Sequence, residues 1–187
     1  GPGSYIVGRG EVAVIDAGPD LSGHVDALLA AIEGETVSHL LVTHTHRDHS
    51  PATRHLKEVT GAKSYGFGPH GGGAAGDDVE EGADTDFTPD VTLKDGDIIR
   101  GAGWTLEALH TPGHTSNHLC FALAEENVLF SGDHVMGWST TVVSPPEMMA
   151  HGVSPDCFVS SASAACSRAT CLASPSRSSP NMRVLYP

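Results

Sequence analysis

Apolar and polar positions along the chain follow strand-like and helix-like patterns in turn. The stretch SYIVGRGEVAVIDAG has β-branched residues on both sides of residues 8–10, which predicts two strands joined by a tight turn. Residues 23–32 have the spacing of a helix, with Asp20 or Ser22 as its N-cap. The run VSHLLVTH is short and apolar on both faces, which predicts a buried strand.

The second half of the pattern adds one helix and several strands. Ser50 and Pro51 open a periodic segment that predicts a helix ending at Gly61, and AKSYGF predicts a strand. Residues 71–90 are Gly-rich and acidic without a period, which predicts an exposed loop. TLKDGDIIRGAGWTLEALHT predicts two strands with a turn at Asp95-Gly96, and NHLCFALAEENVLFSGD predicts a hairpin turning near residues 125–127. Mixed strands and helices of this kind predict a layered α/β fold.

The composition changes sharply near residue 148. From Met148 to the end, the chain is rich in Ser, Ala and Cys, and Asp156 is its one acidic residue. No helical or strand period of useful length occurs in this segment. We therefore expect one domain over residues 1–147 and an atypical tail over residues 148–187, either disordered or translated out of frame.

Charge and cysteine usage narrow the class of protein. The 187-residue chain has a formal net charge of −13, which disfavours binding to phosphate backbones except through a local basic patch at a cleft. No run of 18 apolar residues and no signal peptide is evident, so no membrane segment is expected. The 4 cysteines have no CxxC spacing, which favours a reducing cytoplasm. The sequence leaves the oligomeric state open.

The most informative stretch, HTHRDH, contains four metal-binding side chains within six residues: His44, His46, Asp48 and His49. Imidazole and carboxylate groups are common zinc ligands. His44 and His46 are two residues apart, so in an extended chain they can face the same way, and the other two follow as the chain turns into a helix. One segment can thus serve two neighbouring metals. A histidine-rich surface loop is the alternative, which this density of ligands disfavours.

Two later segments carry similar side chains after predicted strands. In HTPGHTSNH, Pro112 and Gly113 force a turn just before His114. In LFSGDH, Asp133 follows a glycine at the end of an apolar strand. Polar groups at strand ends, on loops held by a sheet, are where functional sites are commonly built. An ordinary surface position explains the remaining histidines of these segments at least as well: His110, His118 and His134.

The motifs THTHRDH, HTPGHT and FSGD, in this order, resemble the metallo-β-lactamase superfamily of metal-dependent hydrolases over about residues 5–147. GEVAVIDAGPD is similar to the first hairpin of that family, which ends in an aspartate near the site, here Asp16. GDHVMGWSTTVVSPPE resembles the lactamase-like 2 subgroup and its bacterial relatives. The resemblance implies a four-layer αββα sandwich with the site at one edge, between the sheets.

The resemblance also implies a set of site residues. His44, His46 and His114 would hold a first metal, Asp48 and His49 a second, and Asp133 would bridge both. Asp48 would in addition orient the nucleophile, while Asp16 and His118 would support the ligands from behind. Zinc is the expected metal at both positions, with iron or manganese as alternatives. No counterpart of the family's last histidine follows Pro146, so we expect a weak second metal position and an incomplete second half of the sandwich.

The chemistry expected from this resemblance is hydrolysis. A metal-bound hydroxide would attack an ester, thioester, lactam or phosphodiester bond of a small-molecule substrate. One alternative is a single-stranded RNA endonuclease of the same superfamily. Another is a protein that binds metal but is inactive because the last ligand is missing.

Overall fold

A computed structural model describes residues 3–69, 82–134 and 182–185. These residues form two helices and ten strands: β1 (Ser4–Arg9), β2 (Glu11–Ile15), α1 (Ser22–Ala31), β3 (Thr36–Leu41), α2 (Ala52–Thr60), β4 (Lys63–Gly66), β5 (Val91–Thr92), β6 (Ile98–Gly101), β7 (Trp104–His110), β8 (Leu119–Leu123), β9 (Val128–Phe130) and β10 (Met182–Leu185).

The first sheet has six strands in the order β10-β1-β2-β3-β4-β5. β1 pairs antiparallel with both β10 and β2, whereas β2, β3, β4 and β5 pair in parallel. The predicted turn between β1 and β2 is confirmed, since Gly8 and Gly10 both adopt positive φ there. Because α1 and α2 provide the parallel crossovers, the carboxyl ends of β2, β3 and β4 lie at one edge of the sheet.

The second sheet is antiparallel, with four strands in the order β6-β7-β8-β9. The apolar core between the sheets draws on both of them and includes Ile15, Leu41, Leu106 and Phe121, all at most 1% exposed. A separate core lies between the first sheet and the two helices and includes Val14, Leu28 and Leu56.

The described residues therefore form three layers, with helices on one sheet and that sheet on a second sheet. The predicted α/β class with two packed sheets is confirmed. The fourth, helical layer of the expected sandwich does not occur within residues 3–69, 82–134 and 182–185. In that same part of the chain, neither helix has the length and apolar character needed to cross a membrane.

Helix starts differ from the sequence prediction. Neither Asp20 nor Ser22 caps α1, because its N-cap is Leu21 and no side chain bonds to its first turn. Pro51 rather than Ser50 is the N-cap of α2, and the Ser50 hydroxyl donates to Asp84 Oδ2 at 2.6 Å instead. The predicted end of α2 at Gly61 is confirmed by its left-handed conformation.

Residues 82–90 also differ from the expected exposed loop. Ala83, Asp84 and Phe87 are buried, and Ala83 forms an isolated antiparallel bridge with His46. The sequence pattern missed this because burial here follows from contact with a distant loop. Residues 71–81, the rest of the expected loop, lie outside the described residues.

One part of the expected tail is structured. Strand β10 pairs along β1, and Arg183 donates to Ala31 O and to Glu35 Oε1, both at 2.8 Å. Residues 135–181, which contain His151 and the expected boundary at 147/148, lie outside the described residues. The division into residues 1–147 and 148–187 stays a prediction.

Candidate metal centre

The candidate ligands meet at one edge of the molecule, between the two sheets. His44 follows β3, His114 follows β7, and Asp133 lies in a 3-10 turn, Gly132–His134, that follows β9. The Leu119 amide of β8 donates to Thr43 O at 2.7 Å, which ties the second sheet to the loop after β3. This seam between the sheets brings together side chains that are distant in sequence.

Three histidine nitrogens converge at this seam. His46 Nδ1 lies 3.1 Å from His44 Nε2 and 3.1 Å from His114 Nε2. A tetrahedral metal with bonds of about 2.0–2.1 Å to nitrogen separates its ligands by about 3.3 Å. The three nitrogens therefore lie close to the separation that such an ion requires, and all three are among atoms grouped within 4.8 Å of one another. The site fits a divalent metal on this ground.

A second group lies beside the first. His44, His49 and Asp133 also offer atoms within 4.8 Å of one another. Asp133 Oδ1 is 3.3 Å from His49 Nε2, and Asp133 Oδ2 is 3.6 Å from His114 Nε2. The two oxygens of one carboxylate thus face one histidine of each group, as a bridging ligand would.

Asp48 lies farther out than the other expected ligands. Its Oδ2 is 3.9 Å from His49 Nε2, and its side chain is 53% exposed. Asp48 belongs to neither of the two groups found within the described part of the chain. It therefore lies at the rim of the candidate centre in this structure.

A hydrogen-bond relay fixes the outer nitrogens of two of these histidines. Asp16 accepts from Thr43 Oγ1 at 2.7 Å and lies 2.8 Å from His49 Nδ1. Because the Thr43 hydroxyl donates to Asp16, it can accept from His44 Nδ1, which is 3.1 Å away. Protons on both Nδ1 atoms leave the Nε2 lone pair of His44 available and direct His49 Nε2 towards Asp133. One buried carboxylate thereby orients a histidine of each group.

The same contacts shift the pKa values of the second group. Burial disfavours the charged form of His49, but the carboxylates of Asp16 and Asp133 outweigh it and raise the pKa of His49 to about 10. Burial likewise opposes ionisation of Asp133, yet the hydrogen bond from His49 holds the pKa of Asp133 below its ordinary value. These two carboxylates therefore favour the protonated form of His49, whose Nε2 lies 3.3 Å from Asp133 Oδ1.

His118 and His134 are buried, so the surface explanation is wrong for both. The His118 ring stacks on the ring of His44 with centroids 5.0 Å apart, and its Nδ1 lies 2.9 Å from Thr111 Oγ1. Burial lowers the pKa of His118 well below its ordinary value, so the ring that supports His44 is neutral. His110 is half-buried and stacks on Phe67.

Sequence patterns missed several polar residues that hold the site together. Thr43, Asn117 and the Ser50–Asp84 pair have no motif of their own, because their partners are distant in the chain. A usable signal was available only for Thr43, which directly precedes the histidine motif. The others could be found only from the tertiary contacts.

Comparison with known proteins agrees with this geometry. The chain matches the sequence model of the metallo-beta-lactamase superfamily over residues 3–168, so it belongs to that family. This match extends past residue 147, whereas the resemblance carried by the sequence motifs covers only about residues 5–147. The narrower resemblance to the lactamase-like 2 subgroup stays a prediction.

Individual proteins of known sequence are similar to this chain. The chain is 34% identical to lactamase-like protein notP of Aspergillus sp. (strain MF297-2), covering 76% of this chain and 41% of that protein. It is 32% identical to atrochrysone carboxyl ACP thioesterase of Aspergillus terreus (strain NIH 2624 / FGSC A1156), with coverages of 76% and 41%. The chain thus spans about two fifths of the length of these relatives.

A solved structure supports the same architecture. The crystal structure of BLEG-1 B3 metallo-beta-lactamase superimposes with a TM-score of 0.61 at 21% identity, covering 79% of this chain and 75% of that one. At this identity the likeness concerns the fold alone.

Proposed function

We propose that this chain carries the metal centre of a metal-dependent hydrolase that cleaves a thioester or a related acyl bond of a small molecule. The observation that carries the proposal is the approach of the His44, His46 and His114 nitrogens to 3.1 Å. Imidazole nitrogens so close together need either a shared proton or a shared cation, and three of them offer an open tetrahedral position. The preference for thioesters comes from relatives that are named ACP thioesterases.

Each candidate residue has a distinct task in this proposal. His44, His46 and His114 would hold the first metal, and His49 and Asp133 would contribute to a second position. A divalent metal held there, with zinc preferred, would lower the pKa of water from 15.7 to about 7 and would stabilise negative charge on the attacked carbonyl oxygen. Asp48, exposed at the rim, orients the attacking water and accepts its proton. The exposure of Asp48 leaves it free to contact substrate.

The His46→Ala variant tests the proposal. Loss of one of three nitrogen donors should lower metal affinity by at least 10–100-fold and abolish cleavage of a chromogenic acyl thioester. Metal content by emission spectrometry and thioester turnover should be measured on the same samples. His55→Ala is the matched control, because His55 is exposed on α2 and belongs to neither candidate group. Unchanged metal content in His46→Ala would refute the ligand assignment.

A second candidate function is metal binding without turnover. It is favoured by the second position, where His49 and Asp133 share His44 with the first group and Asp48 is 3.9 Å from His49. Wild-type protein that binds zinc yet leaves acyl thioesters, lactams and a labelled single-stranded RNA intact would support this function. Cleavage of the RNA alone would instead support an endonuclease.

A further inference from the structure

The Asn117 side chain joins three loops beside the candidate metal centre. It is 3% exposed, and its amide nitrogen lies 2.9 Å from Thr45 Oγ1, 3.3 Å from Gly68 O and 3.2 Å from Pro69 O. Its carbonyl oxygen accepts from Thr115 Oγ1 at 2.9 Å. Thr45 lies between His44 and His46, and Thr115 directly follows His114. The amide therefore links the neighbours of all three histidines.

The orientation of this amide is determined by its partners. Gly68 O and Pro69 O are carbonyl oxygens and only accept hydrogen bonds, so the NH₂ group must face them. The opposite side then presents oxygen, which requires the Thr115 hydroxyl to donate. A side chain of another shape or polarity would leave buried groups without partners, at a cost of about 1–3 kcal/mol each.

The amide also supports the histidines across the seam between the sheets. His114 comes from the loop after β7, whereas His44 and His46 come from the loop after β3. The backbone bond from Leu119 to Thr43 fixes one point of this seam. The Asn117 contact with Thr45 adds a buried side-chain link across the same seam, between the loop that carries His114 and the loop that carries His44 and His46.

We propose that Asn117 is a positioning residue that sets the distance between His114 and the His44–His46 pair, and thereby the affinity and geometry of the first metal position. The proposal rests on the proposed function, since it takes these histidines as ligands. Asn117 does not touch the three nitrogens itself. It acts through Thr45 and Thr115, to which its two polar atoms bind.

The test compares Asn117→Ala with Thr115→Val, which removes the same contact from the other side. Cobalt(II) is bound to each protein, and its affinity is measured by competition with a chromophoric chelator. We expect Asn117→Ala to weaken binding by 10–100-fold, Thr115→Val to weaken it less, and the double variant to be no weaker than Asn117→Ala. The cobalt absorption bands should also shift, which a role in folding alone would not produce.

Thr53→Val is the matched control, because the Thr53 hydroxyl is buried without a hydrogen-bond partner and lies on α2. The unfolding free energies of the metal-free proteins are also measured, because they distinguish general destabilisation from a change at the metal site. Affinity within twofold of wild type with unchanged cobalt bands, or additive effects of the two substitutions, would overturn the proposal. If Asn117→Ala does not fold, the cobalt affinity and the cobalt absorption bands of Thr115→Val decide whether the proposal holds. Absence of cobalt binding by wild-type protein would instead refute the proposed function.

Discussion

At the scale of single residues, the candidate ligands His44 and His49 depend on the groups that hold their outer nitrogens. Asp16 serves two such nitrogens, through Thr43 for His44 and directly for His49. It adopts a left-handed backbone conformation with φ of 51°, which is unusual for a residue other than glycine. The fold thus maintains a strained backbone at the residue on which two of the histidines rely.

Asp16→Asn should therefore impair metal binding. The Thr43 hydroxyl and His49 Nδ1 both bind Asp16 Oδ2, and the Thr43 amide donates to Oδ1. The single oxygen of an amide cannot serve both positions, and the negative charge that favours a proton on His49 Nδ1 is lost. We expect metal affinity to fall by 10–100-fold, as for other groups that orient a ligand. Calorimetric titration with zinc checks this. Asp26→Asn, at an exposed position of α1, is the control, and equal affinities in the two variants would contradict the prediction.

The buried thiol of Cys120 should resist alkylation. Burial raises its pKa to about 12, and Thr111 Oγ1 lies 3.3 Å from Sγ. At pH 8 the thiolate fraction is then about one part in ten thousand, and the reagent has no access to it. Peptide mass spectrometry after iodoacetamide treatment should show Cys120 unmodified in folded protein and modified in guanidinium chloride. Rapid modification of folded protein would show that this part of β8 opens.

Motifs revealed the chemical groups of the site, but not the contacts that orient them. His44, His46 and His114 could be predicted because their spacing and the preceding turn are local features. The bonds from Thr43 to Asp16 and from Asn117 to Thr45 form only after folding, so no pattern in one sequence marks these contacts. His118 was ambiguous because a buried and an exposed histidine have the same local sequence.

At the scale of elements, the loop between β3 and α2 is held in place by a segment that is distant in sequence. Residues 82–84 bind along it, with Arg47 N donating to Gly82 O at 2.9 Å and Asp84 N donating to Thr45 O at 2.8 Å. The Ser50 hydroxyl completes the contact with Asp84. His44, His46 and His49 therefore lie on a loop whose backbone pairs with residues 82–84, although it belongs to no strand.

A similar side-chain contact should stabilise the edge of the first sheet. Asp90 accepts from Lys57 Nζ at 2.5 Å and from the Ser64 amide at 2.9 Å, which joins β5 to α2 and β4. The hydrogen bond from Lys57 lowers the pKa of Asp90 to about 2 from an ordinary 3.8. Asp90→Asn should cost on the order of 0.5–1 kcal/mol in unfolding free energy at neutral pH, since both side chains of the pair are partly exposed.

The pH dependence of this effect has a definite sign. A carboxylate whose folded pKa is lowered stabilises the fold fully above pH 3.8 and loses that effect as pH falls towards about 2. The difference between wild type and Asp90→Asn should be constant above about pH 4 and shrink below it. Denaturant unfolding across this range checks the trend, with the exposed Asp20→Asn as control. A difference that grows on acidification would contradict the assignment.

Element types could be predicted better than their partners. The turn at Asp95-Gly96 was predicted correctly, but the strands on its two sides, β5 and β6, belong to different sheets. A turn signal specifies the local backbone and does not say which edge each strand joins. The burial of Ala83 and Phe87 was missed for the same reason, because it depends on the sheet and loop against which they pack.

At the scale of the whole molecule, the two metal positions should differ in affinity. The first has three nitrogen donors, with His46 Nδ1 3.1 Å from each of the other two, whereas the second adds only His49 and Asp133, with Asp48 farther away. Zinc added to metal-free protein should therefore bind in one tight step and one weak step, seen by competition with a chelator. Two equally tight steps would mean that a residue outside the described part supplies a further ligand.

The seam between the sheets has a consequence for the lifetime of the folded state. A metal held by both His46 and His114 would link two points separated by 68 positions in the chain, one beyond each sheet. Such a link would act as a reversible cross-link. In the chain-entropy model, closing a loop of this length stabilises the folded state by about 4 kcal/mol. Because the link forms only after the sheets have packed, it would slow unfolding more than it speeds folding. Removal of the metal would then shorten the lifetime of the folded state as well as stop catalysis. The metal supply would therefore determine how long each folded molecule persists.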